Sequence, residues 1–599
     1  MDGKTIIGGI LVAAALLLPA SSSEACTNVI ITPGASADGS VLVSYAADSH
    51  WLFGELYYAP AADWKPGSMR KIFDWDSGRY LGEIEQVPHT YQRVGNMNEH
   101  QLIIAETTFG GRHELADRHG ILDYGSLIYI ALERCKTARD AIKCMTDLVE
   151  QYGYCSEGET FTIADKNEVW IMEMVGKGVI MKNGRNLNKG AVWVARRVPD
   201  GYICAHANQA RIRTFPLHDP DNCLYSKDVI SFARKKEWFE GEDDQFSFAD
   251  TYCPLDFGAM RGCEARVWSA FNILSNGWFS YEDETGRIVT KDASSWLDHA
   301  LGHNADNRLP LFIQPAKKMT VKDIADVMRD HYEGTPLDMT QDIGAGGNAL
   351  PYRWRPMEFE FDGKTYVNER AIATQQTGFW FVGQARGAFP DVIGGIIWFG
   401  TDDAATSYLT PIYTNTTKVP KCFEVGNGNM LTYSPTASFW INNRVSNACY
   451  RMYNQMAPFV RKEIDAFEKD QLEKVHEADN RALDLYKAAA EKAVAKAQKK
   501  GYDYDPKTDT GSDMMSVKRH LTDYSVTTAQ NQFKAWSKLE ETLLVKFIDG
   551  NVKPQNPDGT FVHSEFSKNQ PGKIDWPGYT EIWKETVATE HGAILEVKE

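Results

Sequence analysis

The sequence predicts an α/β protein in which layered sheets carry helices on their outer faces, closed by a helical C-terminal region. Two observations carry this reading. β-rich and helical stretches alternate from residue 26 to about residue 417, and several strand-like runs are apolar on both faces, as strands covered on two sides are. After about residue 435 the composition shifts to alanine, lysine and glutamate, with apolar residues at helical spacing. The 599 residues allow up to about four units of ordinary domain size. Hydrophobic residues at 43% and charged residues at 24% exclude a disordered, collagen-like or coiled-coil chain.

Taken in order, residues 1–25 read as a signal peptide. Lys4 precedes an apolar run over residues 6–18, followed by Pro19 and a small polar stretch that ends at Ala25. That run is shorter than the roughly 20 residues needed to cross a bilayer, and it suits a signal-peptide core. Small residues at Ser23 and Ala25 match the cleavage rule, so Cys26 is expected to become the amino terminus. No later apolar run approaches about 18 residues, so the expected product is a soluble protein of the periplasm or the medium, without membrane contact after cleavage.

Strand-like runs fall at 28–32, 41–45, 102–107, 161–164, 169–175, 192–198, 202–205 and 395–399. Helical candidates at 126–134, 137–152, 226–238 and 321–332 lie between them, and together they predict a mixed-sheet sandwich as a catalytic domain over 26–435. Within 436–599, Pro458 opens a helix with Phe459, Ile464, Phe467, Leu472 and Val475 on one face, which runs to Lys500 and stops at Gly501. A second helix carries Phe533, Trp536, Leu539, Leu543 and Phe547 and ends at Asp549 and Gly550. Neither keeps a strict heptad, so both are read as packing on the core.

The formal net charge of −17 and pI near 5.4 exclude the broad basic field that nucleic-acid binding requires. Ten cysteines suit an oxidising compartment; with Cys26 kept free, at most four bridges form, and spacing alone does not fix their pairing. His113, Glu114 and His119 fail as a zinc helix because the histidines are six residues apart and face different sides. Gly344, Gly346 and Gly347 lack the lysine and hydroxyl residue of a phosphate loop and read as a flexible loop. Asn415, Thr416 and Thr417 fit a glycosylation acceptor by pattern only.

An amino-terminal cysteine places a thiol and a free amine on one residue. With reference pKa values of about 7.7–8.0 for the amine and about 8.5 for the thiol, the amine can accept the thiol's proton at neutral pH. Nucleophile and base then travel together, and no distant histidine is required.

From Cys26 onward the chain resembles the dipeptidase A family of amino-terminal-nucleophile cysteine peptidases. The resemblance rests on CTNVIITPGASADGS from Cys26, GNMNEHQLIIAETTFGG from Gly95, FTIADKNEVWIMEM from Phe161, YICAHANQARI from Tyr202, EARVWSAF from Glu264 and GGIIWFGTDDAATS from Gly394. It implies a four-layer α/β/β/α sandwich shared with penicillin V acylases, bile-salt hydrolases and acid ceramidases. It implies Cys26 as nucleophile, Asp48 as the residue orienting the ammonium and thiol, Asn208 as oxyanion donor and Arg266 as the arginine near the active site. Where the superfamily has an arginine three residues before that aspartate, this sequence has Tyr45, so the arginine's part falls to Arg266 or to the ammonium itself. Glu106 and Thr108 end a strand where the pocket should lie, and a carboxylate there suits a substrate's free amine.

The resulting expectation is an exported dipeptidase acting on small peptides, with no metal or organic cofactor and with its oligomeric state open, a homo-oligomer included. Two alternatives are an amidohydrolase for non-peptide amides of the bile-salt or penicillin V type, and a non-catalytic surface lipoprotein acylated at Cys26.

Overall fold

The computed structural model describes residues 26–598, so the expected signal peptide lies outside the described residues. The chain opens with β1 (Asn28–Ile31) and β2 (Val41–Asp48). Then come β3 (Tyr58–Ala59), a hairpin of β4 (Met69–Phe73) and β5 (Tyr80–Glu85), β6 (Arg93–Val94), β7 (Met97–Asn98) and β8 (Ile103–Gly110). Helices α1 (Tyr124–Arg134) and α2 (Ala138–Tyr152) lead into β9 (Gly158–Ala164), β10 (Val169–Gly176), β11 (Ala191–Arg197), β12 (Ile203–His206) and β13 (Cys223–Tyr225). Beyond α3 (Val229–Lys235), α4 (Ala265–Leu274) and α5 (Val321–Val327) lie the hairpin β14 (Glu358–Phe361) and β15 (Lys364–Val367), then β16 (Thr377–Ala385), β17 (Gly395–Thr401) and β18 (Thr410–Tyr413). Helices α6 (Ser438–Cys449), α7 (Tyr453–Lys500), α8 (Met515–Lys546) and α9 (Glu581–Leu595) complete the fold.

Six strands form one sheet in the order β12-β1-β2-β16-β17-β18, and eight form a second in the order β13-β11-β10-β9-β8-β7-β6-β3. Every pairing within both is antiparallel, which corrects the expected mixed sheet. Doubly apolar runs report two covered faces and carry no information on strand direction. Along β2, Val41, Val43, Tyr45 and Ala47 join Ile30, Ile103, Ala105, Ile171 and Phe381 in a core shared by the two sheets. Leu42 and Ala46, one residue out of phase, instead pack with Val267 and Phe271 of α4, Ile324 of α5 and Val475 of α7. Ile104, Phe161 and Trp170 of the second sheet pack with Leu127, Ile128 and Met145 of α1 and α2. The period-2 alternation of each strand thus serves two cores at once.

The C-terminal helices are tied in by buried charge pairs. Arg329 Nη1 donates to Glu468 Oε2 at 3.1 Å, and Arg386 Nη2 donates to Asp479 Oδ1 at 3.0 Å, both carboxylates lying on α7. This long helix begins at Tyr453 rather than at Pro458, because Met456 and Ala457 bury a turn ahead of the proline and offset the hydrogen bond it lacks. Helix α8 likewise begins well before Phe533, at Met515, where Val517 and Leu521 extend its buried face. Gly344, Gly346 and Gly347 lie in a 3₁₀ turn (Ile343–Asn348), not an open loop, and Gly347 packs so closely on Tyr579 that a Cβ would sit 2.4 Å from its ring. Asn415 is buried and donates to the Glu99 and Asp391 carbonyls, so the glycosylation pattern falls in the core. The nine cysteines after Cys26 carry free thiols.

Candidate active site

Cys26 precedes β1, pinned by a bridge between Thr27 and Ala46 of β2, and is 4% exposed. Its Sγ lies 3.7 Å from Tyr45 Oη and 3.6 Å from Glu106 Oε1. Tyr45 reaches it from β2 and donates to Glu106 Oε1 at 2.5 Å, while Glu106 projects from β8 of the opposite sheet. Burial above all, then the neighbouring thiol and the Glu106 carboxylate, push the Tyr45 phenol well up, so it keeps its proton and serves as a donor. The chamber enclosing Cys26 measures about 30 Å³ and is walled by Tyr45, Asp48, Trp75, Asp76, Tyr124 and Phe379, among others.

Arg266 fastens the backbone of the nucleophile. A π-turn (Ala259–Glu264) ahead of α4 brings Gly262 O within 2.7 Å of its Nε. Nη1 donates to Cys26 O at 2.7 Å and Thr27 Oγ1 at 2.8 Å, and Nη2 to Ala207 O at 3.2 Å and Asn208 Oδ1 at 2.9 Å. These five bonds engage all five N–H groups of the guanidinium, so Arg266 acts as a clamp on main chain and amide. Asn208 stands just beyond β12 with φ of 63°, a left-handed conformation that asparagine tolerates. Because Arg266 claims its oxygen, its nitrogen must point the other way, where Nδ2 donates to Thr108 O at 2.7 Å.

Asp48 ends β2 at a register shift after Ala47 and is fully buried. Its Oδ1 accepts from Thr377 Oγ1 at 2.7 Å and its Oδ2 from Arg370 Nη2 at 2.6 Å. Burial raises its pKa, opposed by Arg370 and Thr377. Gln376 Nε2 donates to Asp48 O at 3.3 Å and its Oε1 accepts from Arg355 Nη2 at 2.8 Å, so two arginines meet at this strand end.

Glu106 is 1% exposed and borders neither cavity. Glu159, diagonally across on β9, is held well above the usual carboxylate range by burial and then by Glu106, so it carries a proton. Thr108 Oγ1 donates to Glu159 Oε1 at 2.9 Å. Thr108 and Glu159 face a cleft of about 1030 Å³ whose walls also include Asp76, Tyr124, Asn208, Arg266, Arg355 and Arg370. Asp76 and Tyr124 border both the cleft and the chamber, which makes them the threshold between the two.

The structure therefore brings Cys26, Tyr45, Asp48, Glu106, Thr108, Asn208 and Arg266 into one neighbourhood. It adds Asp76, Tyr124, Glu159, Arg355 and Arg370, which the sequence reading does not contain. Glu159 has a visible signal, a carboxylate inside a wholly buried strand. The others lie on loops or at a helix start and have none. Among the described residues no group of three or more His, Cys, Asp or Glu could hold a metal ion.

A family model for peptidase family C69 matches residues 55–466. The chain belongs to peptidase family C69. That span holds Glu106, Asn208, Arg266 and Arg370 and begins after Cys26, Tyr45 and Asp48. Among curated proteins, this family member is 23% identical over 409 residues to a probable dipeptidase of Latilactobacillus sakei, covering 65% of this chain and 74% of that one. It is 22% identical over 503 residues to dipeptidase A of Lactobacillus helveticus, covering 79% and 92%. It is 23% identical over 429 residues to a dipeptidase of Bifidobacterium longum, covering 69% and 70%.

Proposed function

We propose that this protein is a cysteine dipeptidase whose nucleophile is Cys26. The observation that carries the reading is one guanidinium, Arg266, holding both the carbonyl of Cys26 and the side chain of Asn208 beside a cleft large enough for a peptide. The dipeptidases among its relatives support the substrate class. The two sheets with helices outside them support an amino-terminal-nucleophile sandwich of the α/β/β/α kind.

In this mechanism Cys26 Sγ attacks the peptide carbonyl, and the Asn208 amide with a backbone N–H holds the oxyanion. The Cys26 α-ammonium, having taken the thiol's proton, returns it to the departing amine, and water then hydrolyses the thioester. While Ala25 remains attached, the nitrogen of Cys26 is an amide and no base. The thiol's near neighbours are then Tyr45 and Glu106. Export and cleavage after Ala25 add the α-amine as general base, so activity belongs to the processed form. Asp48, neutralised by Arg370, fixes the end of β2 beside that amine.

The test is turnover of a dipeptide panel by the native protein, Cys26→Ser and Cys26→Ala, alongside mass analysis of the amino terminus. Native activity with a free Cys26 terminus and silent variants is the expected result. A fully active protein beginning elsewhere, or one carrying a lipid on Cys26, overturns the reading. Turnover of bile-salt or penicillin V amides with silence on every dipeptide would move it to amidohydrolysis.

A further inference from the structure

We propose that the cleft recognises both charged ends of an unblocked dipeptide, with Arg355 and Arg370 taking the α-carboxylate and Asp76 the α-ammonium. The inference rests on the peptidase reading of Cys26 and adds the charge pattern that sets substrate length.

The cationic end is built around one strand terminus. Arg355 and Arg370 flank the hairpin of β14 and β15, and both face the cleft. Arg370 bonds the Asp48 carboxylate at 2.6 Å, and Arg355 reaches the same strand end through Gln376. Two guanidiniums thus gather at one strand end. Their like charges are felt locally: burial and then Arg370 lower the pKa of Arg355, and burial followed by both arginines lowers that of His50. A carboxylate arriving between the guanidiniums relieves that repulsion, and Arg355, the more exposed of the two, offers it a planar donor fork.

The anionic end comes from the other sheet's side. Asp76 sits on the loop joining β4 and β5, and its Oδ1 accepts from Tyr124 Oη at 2.9 Å at the start of α1. Asp76 borders both the Cys26 chamber and the cleft. Its charge contributes to raising both Glu106 and Glu159, after the larger effect of burial. An ammonium brings three N–H donors to such a wall.

The polarity comes from the bond that breaks. In a dipeptide the ammonium sits on the carbon next to the attacked carbonyl, and the carboxylate sits on the departing residue. Two residues span at most about 7 Å, so both charges fall inside one site, whereas a third residue displaces one of them by about 3.5 Å.

The processed full-length protein, Arg355→Gln, Arg355→Lys and Asp76→Asn are assayed for kcat and KM on alanyl-alanine, its C-terminal amide and its N-acetyl derivative. The native protein should prefer the free dipeptide over either blocked form by about 30-fold or more in kcat/KM. Arg355→Gln should collapse the preference over the amide alone, mainly through KM, with Arg355→Lys retaining part of it. Asp76→Asn should collapse the preference over the N-acetyl form alone. Equal native turnover of all three, or variants that lose all three in parallel, would overturn the inference and leave the peptidase reading standing. Native silence on these and every other dipeptide would overturn both.

Discussion

Arg266 Nη2 donates to Asn208 Oδ1 at 2.9 Å while Nη1 of the same guanidinium holds Cys26 O at 2.7 Å. The nucleophile's own carbonyl and the amide beside it are therefore positioned by one rigid planar group. If Asn208 stabilises the oxyanion, Asn208→Ala lowers kcat by about 100- to 1,000-fold. Asn208→Gly separates this role from the backbone's, because glycine accepts the left-handed φ without strain. It should unfold near the native temperature yet be as slow as the alanine variant in steady-state kinetics.

Arg266→Lys keeps a positive charge but cannot reproduce a five-donor fork. Several buried acceptors, Cys26 O and Ala207 O among them, then lose their donor. We expect a loss of about 2–4 kcal/mol in urea denaturation, with a fall in kcat that exceeds any change in KM.

Gly125 opens α1 directly beneath Trp75, and a Cβ there would stand 2.6 Å from Trp75 Cγ. Both residues wall the Cys26 chamber, and Asp76 comes next after Trp75 in the same loop. Gly125→Ala should displace this loop, raising KM for dipeptides by about tenfold while costing about 1–3 kcal/mol in thermal stability.

Glu173 on β10 holds the segment after Asn208, its Oε1 accepting from Arg211 N at 2.5 Å and Ile212 N at 3.0 Å. Burial pushes this carboxyl up from 4.5 to about 7. Between those values the folded protein holds more protons than the unfolded chain, so this contribution is fully present below about 4.5 and is lost as pH rises toward 7. Glu173→Gln cannot titrate. Its stability relative to the native protein should rise by at most about 3 kcal/mol between pH 4 and pH 8, read by denaturant unfolding at the two pH values.

The strand that follows Cys26 and those that carry Tyr45 and Glu106 are legible in the sequence because each serves two apolar cores and so reads as an unbroken run. Strand β16 is missing from that reading although it pairs with all of β2: its glycines and Gln384 interrupt the run, and the tight contact of Gly383 with Ile103 explains one of them. Helix α4 is recognisable as a motif but not as a helix, since a π-turn precedes it where a cap would announce it. Asn208 and Arg266 come from resemblance, because neither has a local pattern of its own. The charges lining the cleft are hidden for a different reason. Asp48 and Arg370 lie 322 residues apart, and only the completed fold makes them neighbours.

The buried pairs of α7 impose an order on assembly. Arg329 meets Glu468 across 139 residues and Arg386 meets Asp479 across 93, so a nascent chain that stops short of the long helix lacks the buried carboxylates that hold these two cations. The strands that hold Cys26 are thus made long before the carboxylates that complete the outer helical layer.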